Sequence, residues 1–309
     1  MIASVVLALI PIGLLIGLGA GLRRAGFPGQ TFWPQAERLS YYVLLPALFV
    51  HGLATAHLDG VPVVTLALAL IAATCTVAGA LLAARRYLGF EGAAFTSVFQ
   101  GGVRFNNYVG VSATIGVFGA QGIALAAVAN AAIVPTVNIL CVLVFARFGT
   151  GGRPQPAAIL RQLALNPLVV ACFLGIGLQV TGLGLPPGIE PMLKALGQAS
   201  LPLGLLCVGA ALDLSAARTW MRPVLVSSAV KFLVMPCATV LACRAFGLHG
   251  PAAATALIFQ VLPTASSSYI MARQLGGDAP LMAGIIAAQT ILAGLAIPLV
   301  LLGLQGFAV

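Results

Sequence analysis

Residues 99–111 read F-Q-G-G-V-R-F-N-N-Y-V-G-V, a polar and glycine-rich interruption in a stretch otherwise apolar enough to span a bilayer. Arg104 lies near the middle of that stretch. A guanidinium at membrane depth is costly and is retained where it faces a cavity or a partner, so it marks a candidate anion site. Gly101 and Gly102 loosen the helix before it, and Asn106 and Asn107 add neutral hydrogen-bonding groups. The pattern predicts a helix broken at membrane depth. Such a break survives only where its freed backbone groups are buried in protein or line a watery cavity. A half-helix that begins after it points its positive end at the cavity, which suits a negatively charged ligand.

A second interruption, 259–271, reads F-Q-V-L-P-T-A-S-S-S-Y-I-M. Pro263 lacks a backbone donor and clashes with the preceding turn, so it breaks this span as the glycines loosen the first. Thr264, Ser266, Ser267 and Ser268 supply hydroxyls there. Each of these polar residues can serve the freed backbone, a substrate, or both. Lys231, deep in another apolar span, is a second candidate anion ligand, unless its stem carries the ammonium to an interface. Asn130, Gln289 and His51 are the candidates for coupling an ion or a proton. For Asn130 and Gln289, as for Asn138, interhelical packing is the simpler role, and for His51 an interfacial hydrogen bond is.

These residues must be positioned by helices in lipid. The chain of 309 residues is 61% hydrophobic and only 7% charged, with a mean hydropathy of +1.09. A soluble domain carries about 25% charged residues, so the composition indicates a polytopic membrane protein, all-α because the apolar runs lack strand-like alternation. The net charge of +9 comes from basic residues set singly or in pairs between apolar runs. That is the placement of the positive-inside rule and not of a nucleic-acid site. The cysteines, Cys75, Cys141, Cys172, Cys207, Cys237 and Cys243, have no C-x-x-C spacing and read as small packing residues, so no metal or cofactor is expected. The N-terminal run lacks a basic segment before it and reads as a retained first helix.

Ten spans are predicted, at 3–22, 39–56, 62–84, 92–118, 122–148, 166–181, 192–212, 223–246, 251–275 and 280–304. The longest connection, 149–161, falls at the centre. Around it the halves match: at a shift of 156 residues Pro11, Gly19, Gly21, Gly26 and Pro46 fall on Pro167, Gly175, Gly177, Gly182 and Pro202. The shift grows to 158 at Gly89 and Gly92, and to 160 at Phe99-Gln100, which falls on Phe259-Gln260. Residues 1–150 and 151–309 are therefore read as two five-helix repeats. An odd number of spans inverts the second copy, and paired broken helices in inverted copies point to a binding site. Connections after the odd spans hold Arg23, Arg24, Arg38, Arg85, Arg86, Arg147, Arg153, Arg161, Arg218, Arg222 and Arg273, whereas the others hold only Lys194 and Arg244. This bias puts the first set in the cytoplasm and both termini on the extracytoplasmic side.

The runs P-A-L-F at Pro46, R-F-N-N-Y at Arg104, N-P at Asn166, L-P-L-G at Leu201 and L-P-T-A-S-S-S-Y at Leu262 together resemble the bacterial branch of the auxin efflux carrier family, which includes the plant PIN-type carriers. The resemblance covers nearly the whole chain. It implies crossing fourth and ninth helices, with Asn106, Asn107 and 263–268 at the crossing. It also implies a scaffold of helices 1, 2, 6 and 7 and a transport domain of helices 3–5 and 8–10. Relatives of this kind are homodimers of the inner membrane that move organic anions, such as malonate, malate or auxin-like acids, by an elevator-like shift. The chain lacks the long central loop of the plant members, and Arg104 at the break favours a carboxylate. The function expected is thus secondary transport of a mono- or dicarboxylate, with coupling to H+ or Na+ and drive by the membrane potential alone both open. The rivals are a passive anion channel and a membrane enzyme. An enzyme would need a nucleophile with a base, paired acids or a metal cluster, and a channel a polar face along several spans.

Overall fold

The computed structural model describes residues 2–29, 31–55, 61–150, 165, 167–212 and 219–303. Asn166, Arg153, Arg161, Arg218, Asp59 and Asp213, with most of the central connection, lie outside the described residues. Every regular element among the described residues is helical. Among the described residues five helical stretches are long and apolar enough to cross a membrane. The protein is a multi-pass membrane protein.

The helices are α1 (Ile2–Arg24), α2 (Phe32–Leu39), α3 (Leu45–Ala54), α4 (Val63–Leu88), α5 (Gly92–Val103), α6 (Asn107–Phe118) and α7 (Ala120–Phe148). The second half contributes α8 (Pro167–Thr181), α9 (Ile189–Ala210), α10 (Met221–Ala229), α11 (Met235–Ala245), α12 (Gly250–Gln260), α13 (Ser267–Leu275) and α14 (Ala279–Gly303). Single π turns, Ser40–Leu44 and Val230–Val234, join α2 to α3 and α10 to α11. Each precedes a proline, Pro46 or Pro236, whose ring would press on the carbonyl four residues back. The wider turn relieves this: the Leu45 and Met235 amides donate to Ser40 O and Val230 O, five residues back.

The chain forms two compact units. The first comprises Met1–Val63, Tyr108–Ala131 and Leu163–Ala211. In it α1 packs along α9, and α3 packs on α8 and α9. Backbones touch at glycines: a side chain at Gly19 would collide with the Leu206 carbonyl, and one at Gly209 with that of Ile16. In lipid, where the apolar effect between helices is absent, such close packing carries association.

The second unit comprises Val64–Asn107, Ala132–Gln162 and Leu212–Val309. Its core gathers α5, α10, α13 and α14 around Phe99, Val103, Phe259, Ile285 and Met282, all buried. Both interruptions belong to this unit. Residues 108–131 belong to the first unit.

Candidate functional site

The first interruption comes at Arg104, whose backbone turns extended (φ −78, ψ 159) and ends α5. The helix resumes at Asn107. Gly101 and Gly102 do not open the helix; both lie within α5, and their role is close packing. A methyl group at Gly101 would collide with Ser227 Oγ and lie 2.6 Å from Ile285, and one at Gly102 would lie 2.8 Å from Leu81 and 3.1 Å from Val230. They bring α10 against α5. The second interruption spans 261–266, between α12 and α13, with Pro263 buried inside it.

Gln289 of α14 serves the freed backbone of both. Its Oε1 accepts from Thr264 N at 3.1 Å and from Thr264 Oγ1 at 2.7 Å. Its Nε2 donates to Gly101 O at 3.0 Å and to Ser227 Oγ at 3.3 Å. The amide is fully buried and makes two contacts at each end, which leaves it no spare valence for an ion. Gln289 thus ties the last turn of α5, the second interruption and α10 together. The paired glutamines at the ends of α5 and α12 brace the same region. Gln100 Nε2 reaches Ser268 O at 3.4 Å, and Gln260 Nε2 donates to Thr74 Oγ1 at 2.9 Å on α4.

Arg104 is 9% exposed. Its Nη1 donates to Asn138 Oδ1 at 2.9 Å and contacts Met271 Sδ at 3.5 Å, and its Nη2 donates to Ser267 Oγ at 3.2 Å. All three partners are neutral. Among the described residues Arg104 Nε has no hydrogen-bond partner, and neither do Asn107 Oδ1, Ser268 Oγ, Gln100 Oε1, Ser228 Oγ and Lys231 Nζ. Lys231 is completely buried in the π turn between α10 and α11. Among the described residues no carboxylate pairs with either cation; Asp278, in the same unit, caps α14 through Leu281 N at 2.9 Å. Among the described residues, then, the second unit holds two buried basic side chains without a carboxylate partner, together with several buried polar atoms left without hydrogen bonds.

The remaining candidates are dispersed differently. Asn106 is buried, and Ser266 and Ser267 are half-buried. Asn130 belongs to the first unit, where its Nδ2 donates to Ala126 O at 2.8 Å within its own helix. His51, also in the first unit, has Nε2 3.9 Å from Glu190. Sequence reasoning passed over Ser227 and Thr74, single hydroxyls in apolar helices whose importance comes only from what packs opposite them. The recurrence of Phe-Gln at 99–100 and 259–260 was the one signal available for the glutamines.

Residues 153–301 match the family model described as membrane transport protein. The match covers just under half of the chain and takes in all of α8 to α13, most of α14 and the whole second interruption. It indicates a membrane transporter, and so a small-molecule substrate and a lipid surround, rather than an enzyme. Lys231, Pro263, Thr264 and Gln289 all fall within the transporter match, whereas Arg104 precedes it. No curated protein matches the chain.

Proposed function

We propose that the transporter is a secondary carrier of small organic anions, mono- or dicarboxylates, and that its binding site is the polar compartment of the second unit. The observation that carries this reading is the pair of buried cations, Arg104 and Lys231, with no acidic partner among the described residues. A carboxylate beside Arg104 would accept from its free Nε and from hydroxyls of the second interruption. The N-terminal turn of α13, which begins directly after the second interruption, would add the favourable end of the helix dipole.

The site's ligands come from a single compact unit, which supports an elevator-type cycle in which that unit carries the substrate as one body. In the full reading the chain has ten transmembrane helices in two inverted five-helix repeats, with both termini on the extracytoplasmic side of a bacterial inner membrane. It works as a homodimer of the auxin efflux carrier family, bacterial branch, related to the PIN-type carriers. Gln289 is saturated by protein partners, so coupling to H+ or Na+ would have to run through other groups.

Thermal stabilisation of the purified protein against a panel of small carboxylates and indole-acids tests the assignment, because a ligand that binds only the folded state raises apparent stability by mass action. A carboxylate-selective shift that disappears in Arg104→Gln is expected. A shift with neutral or cationic compounds alone would remove the anion assignment.

A further inference from the structure

The ends of α4, α5, α7, α10 and α13 meet at one end of the second unit. Arg222, at the start of α10, donates through Nη2 to Leu88 O, the last carbonyl of α4, at 3.0 Å. A side chain at Gly92, where α5 begins, would collide with the Phe148 carbonyl at the end of α7. Thr150, just beyond α7, donates through its amide and its hydroxyl to Gly276 O, just beyond α13, at 2.9 and 3.1 Å. This junction gathers Arg85 and Arg86 of α4, Arg147 of α7, Arg222 of α10 and Arg273 of α13. Among the described residues none of these arginines is ion-paired with a carboxylate. Of the nearby acids, Glu91 is exposed between α4 and α5, and Asp278 caps α14 through Oδ1.

The arginines are held by rings instead. The Arg85 guanidinium lies 4.1 Å from the centroid of the Phe148 ring and 5.6 Å from that of Phe95, and the Arg147 guanidinium lies 5.3 Å from the same Phe148 ring. One ring thus serves two cations. Stacking engages the flat face of a guanidinium and leaves its in-plane donors for an anion. Arg85 Nε, buried, has no hydrogen-bond partner among the described residues. Two such forks around one ring suit a phosphate, which accepts from more than one arginine at once.

What lies one turn deeper tells which phosphate. Leu82 comes four residues before Arg86, Leu143 four before Arg147 and Leu225 three after Arg222. Each leucine therefore shares a helix face with its arginine, one turn farther from the helix end. All three leucines and all three arginines are exposed. Charge at the helix ends above exposed apolar steps matches a phospholipid, with its headgroup at the arginines and its chains along the leucines. A free phosphate has no use for the leucines.

We propose that the junction around Arg85, Arg147 and Phe148 is a headgroup site for an anionic phospholipid of the surrounding bilayer. The inference needs only the membrane assignment and is independent of the carboxylate reading. Delipidated full-chain protein in neutral detergent is given dioleoyl phosphatidylglycerol, dioleoyl phosphatidylcholine or inorganic phosphate, and binding is followed by native mass spectrometry and thermal shift. With two arginines at the headgroup, phosphatidylglycerol is expected to bind roughly 10- to 30-fold more tightly than phosphatidylcholine. Arg147→Gln, at an exposed position, is expected to lower that preference about fivefold, and the double variant Arg85→Gln/Arg147→Gln to erase it. The single variant keeps the test open if the double one does not purify. Lys194→Gln, which removes an exposed cation of the first unit, is expected to leave the preference within about twofold.

Equal binding of the two lipids by the wild type overturns the inference, and so does an undiminished preference in Arg147→Gln. A preference lowered as far by Lys194→Gln as by Arg147→Gln also overturns it, because the charge would then act diffusely and not at a site. Stabilisation by inorganic phosphate equal to that by phosphatidylglycerol would assign the arginines to a soluble anion and likewise overturn it.

Discussion

Replacing Gln289 with methionine keeps most of the side-chain volume and deletes its hydrogen bonds. The Thr264 amide loses the partner that holds it at 3.1 Å and is left buried. Gly101 O keeps Thr264 Oγ1 at 3.2 Å, and Ser227 Oγ keeps its bond to Val98 O at 3.3 Å, so these two groups are only partly deprived. One orphaned buried amide costs about 1–3 kcal/mol and each weakened neighbour a fraction of that, giving a loss of about 2–4 kcal/mol. Reversible unfolding in mixed micelles measures it. Gln289→Glu keeps the acceptor toward Thr264 but not the donors toward Gly101 and Ser227, and should fall as far or further. In proteoliposomes both variants should lose maximal rate, because the two interruptions are no longer held in register, while the dependence on sodium and pH stays as in the wild type. A stability change below about 0.5 kcal/mol together with an altered sodium or pH dependence would refute this reasoning and return Gln289 to an ion-coupling role.

Gly101→Ala should destabilise the protein by about 1–3 kcal/mol through overpacking, since the added methyl meets Ser227 Oγ and Ile285. Adding Ser227→Ala should recover part of that loss in the same unfolding assay, as expected for two sites in contact. Lys231→Met should raise the stability of the ligand-free protein by about 1–4 kcal/mol, because it replaces an unpaired buried ammonium with an apolar side chain; a lower melting temperature without ligand would show that the charge has a partner in the resting state. Asn138→Leu removes the 2.9 Å acceptor that orients Arg104 and should weaken carboxylate binding about 3- to 10-fold without abolishing it, as read by calorimetry.

Much of this was legible before any coordinates because membrane constraints are strong. Long apolar runs can only be helices, and a polar run such as 104–107 or 263–268 inside them must be an interruption or a site. Arg104 and Lys231 stood out for the same reason. What the residues could not say was how the interruptions are held. Gly101 and Gly102 look like helix breakers in one dimension, yet they sit inside α5 and act by letting Ser227 and Val230 approach. The break belongs to Arg104, whose backbone turns extended. Gln289 reads as one polar residue in an apolar helix, and only the arrival of Thr264, Gly101 and Ser227 from three other segments reveals its role. The π turns at Ser40–Leu44 and Val230–Val234 were hidden because Pro46 and Pro236 announce a kink without stating how it is absorbed.

The central claim, an anion-carrying site built on Arg104, is tested most directly by counterflow. Proteoliposomes preloaded with unlabelled carboxylate are given a trace of the same compound labelled outside, and transient accumulation is followed for the wild type and for Arg104→Gln. Accumulation above equilibrium in the wild type and none in the variant, at equal reconstituted protein, is the predicted result. Counterflow of undiminished size in Arg104→Gln, or simple equilibration without overshoot in the wild type, would contradict it, the first by moving the site elsewhere and the second by replacing the carrier with an open pore.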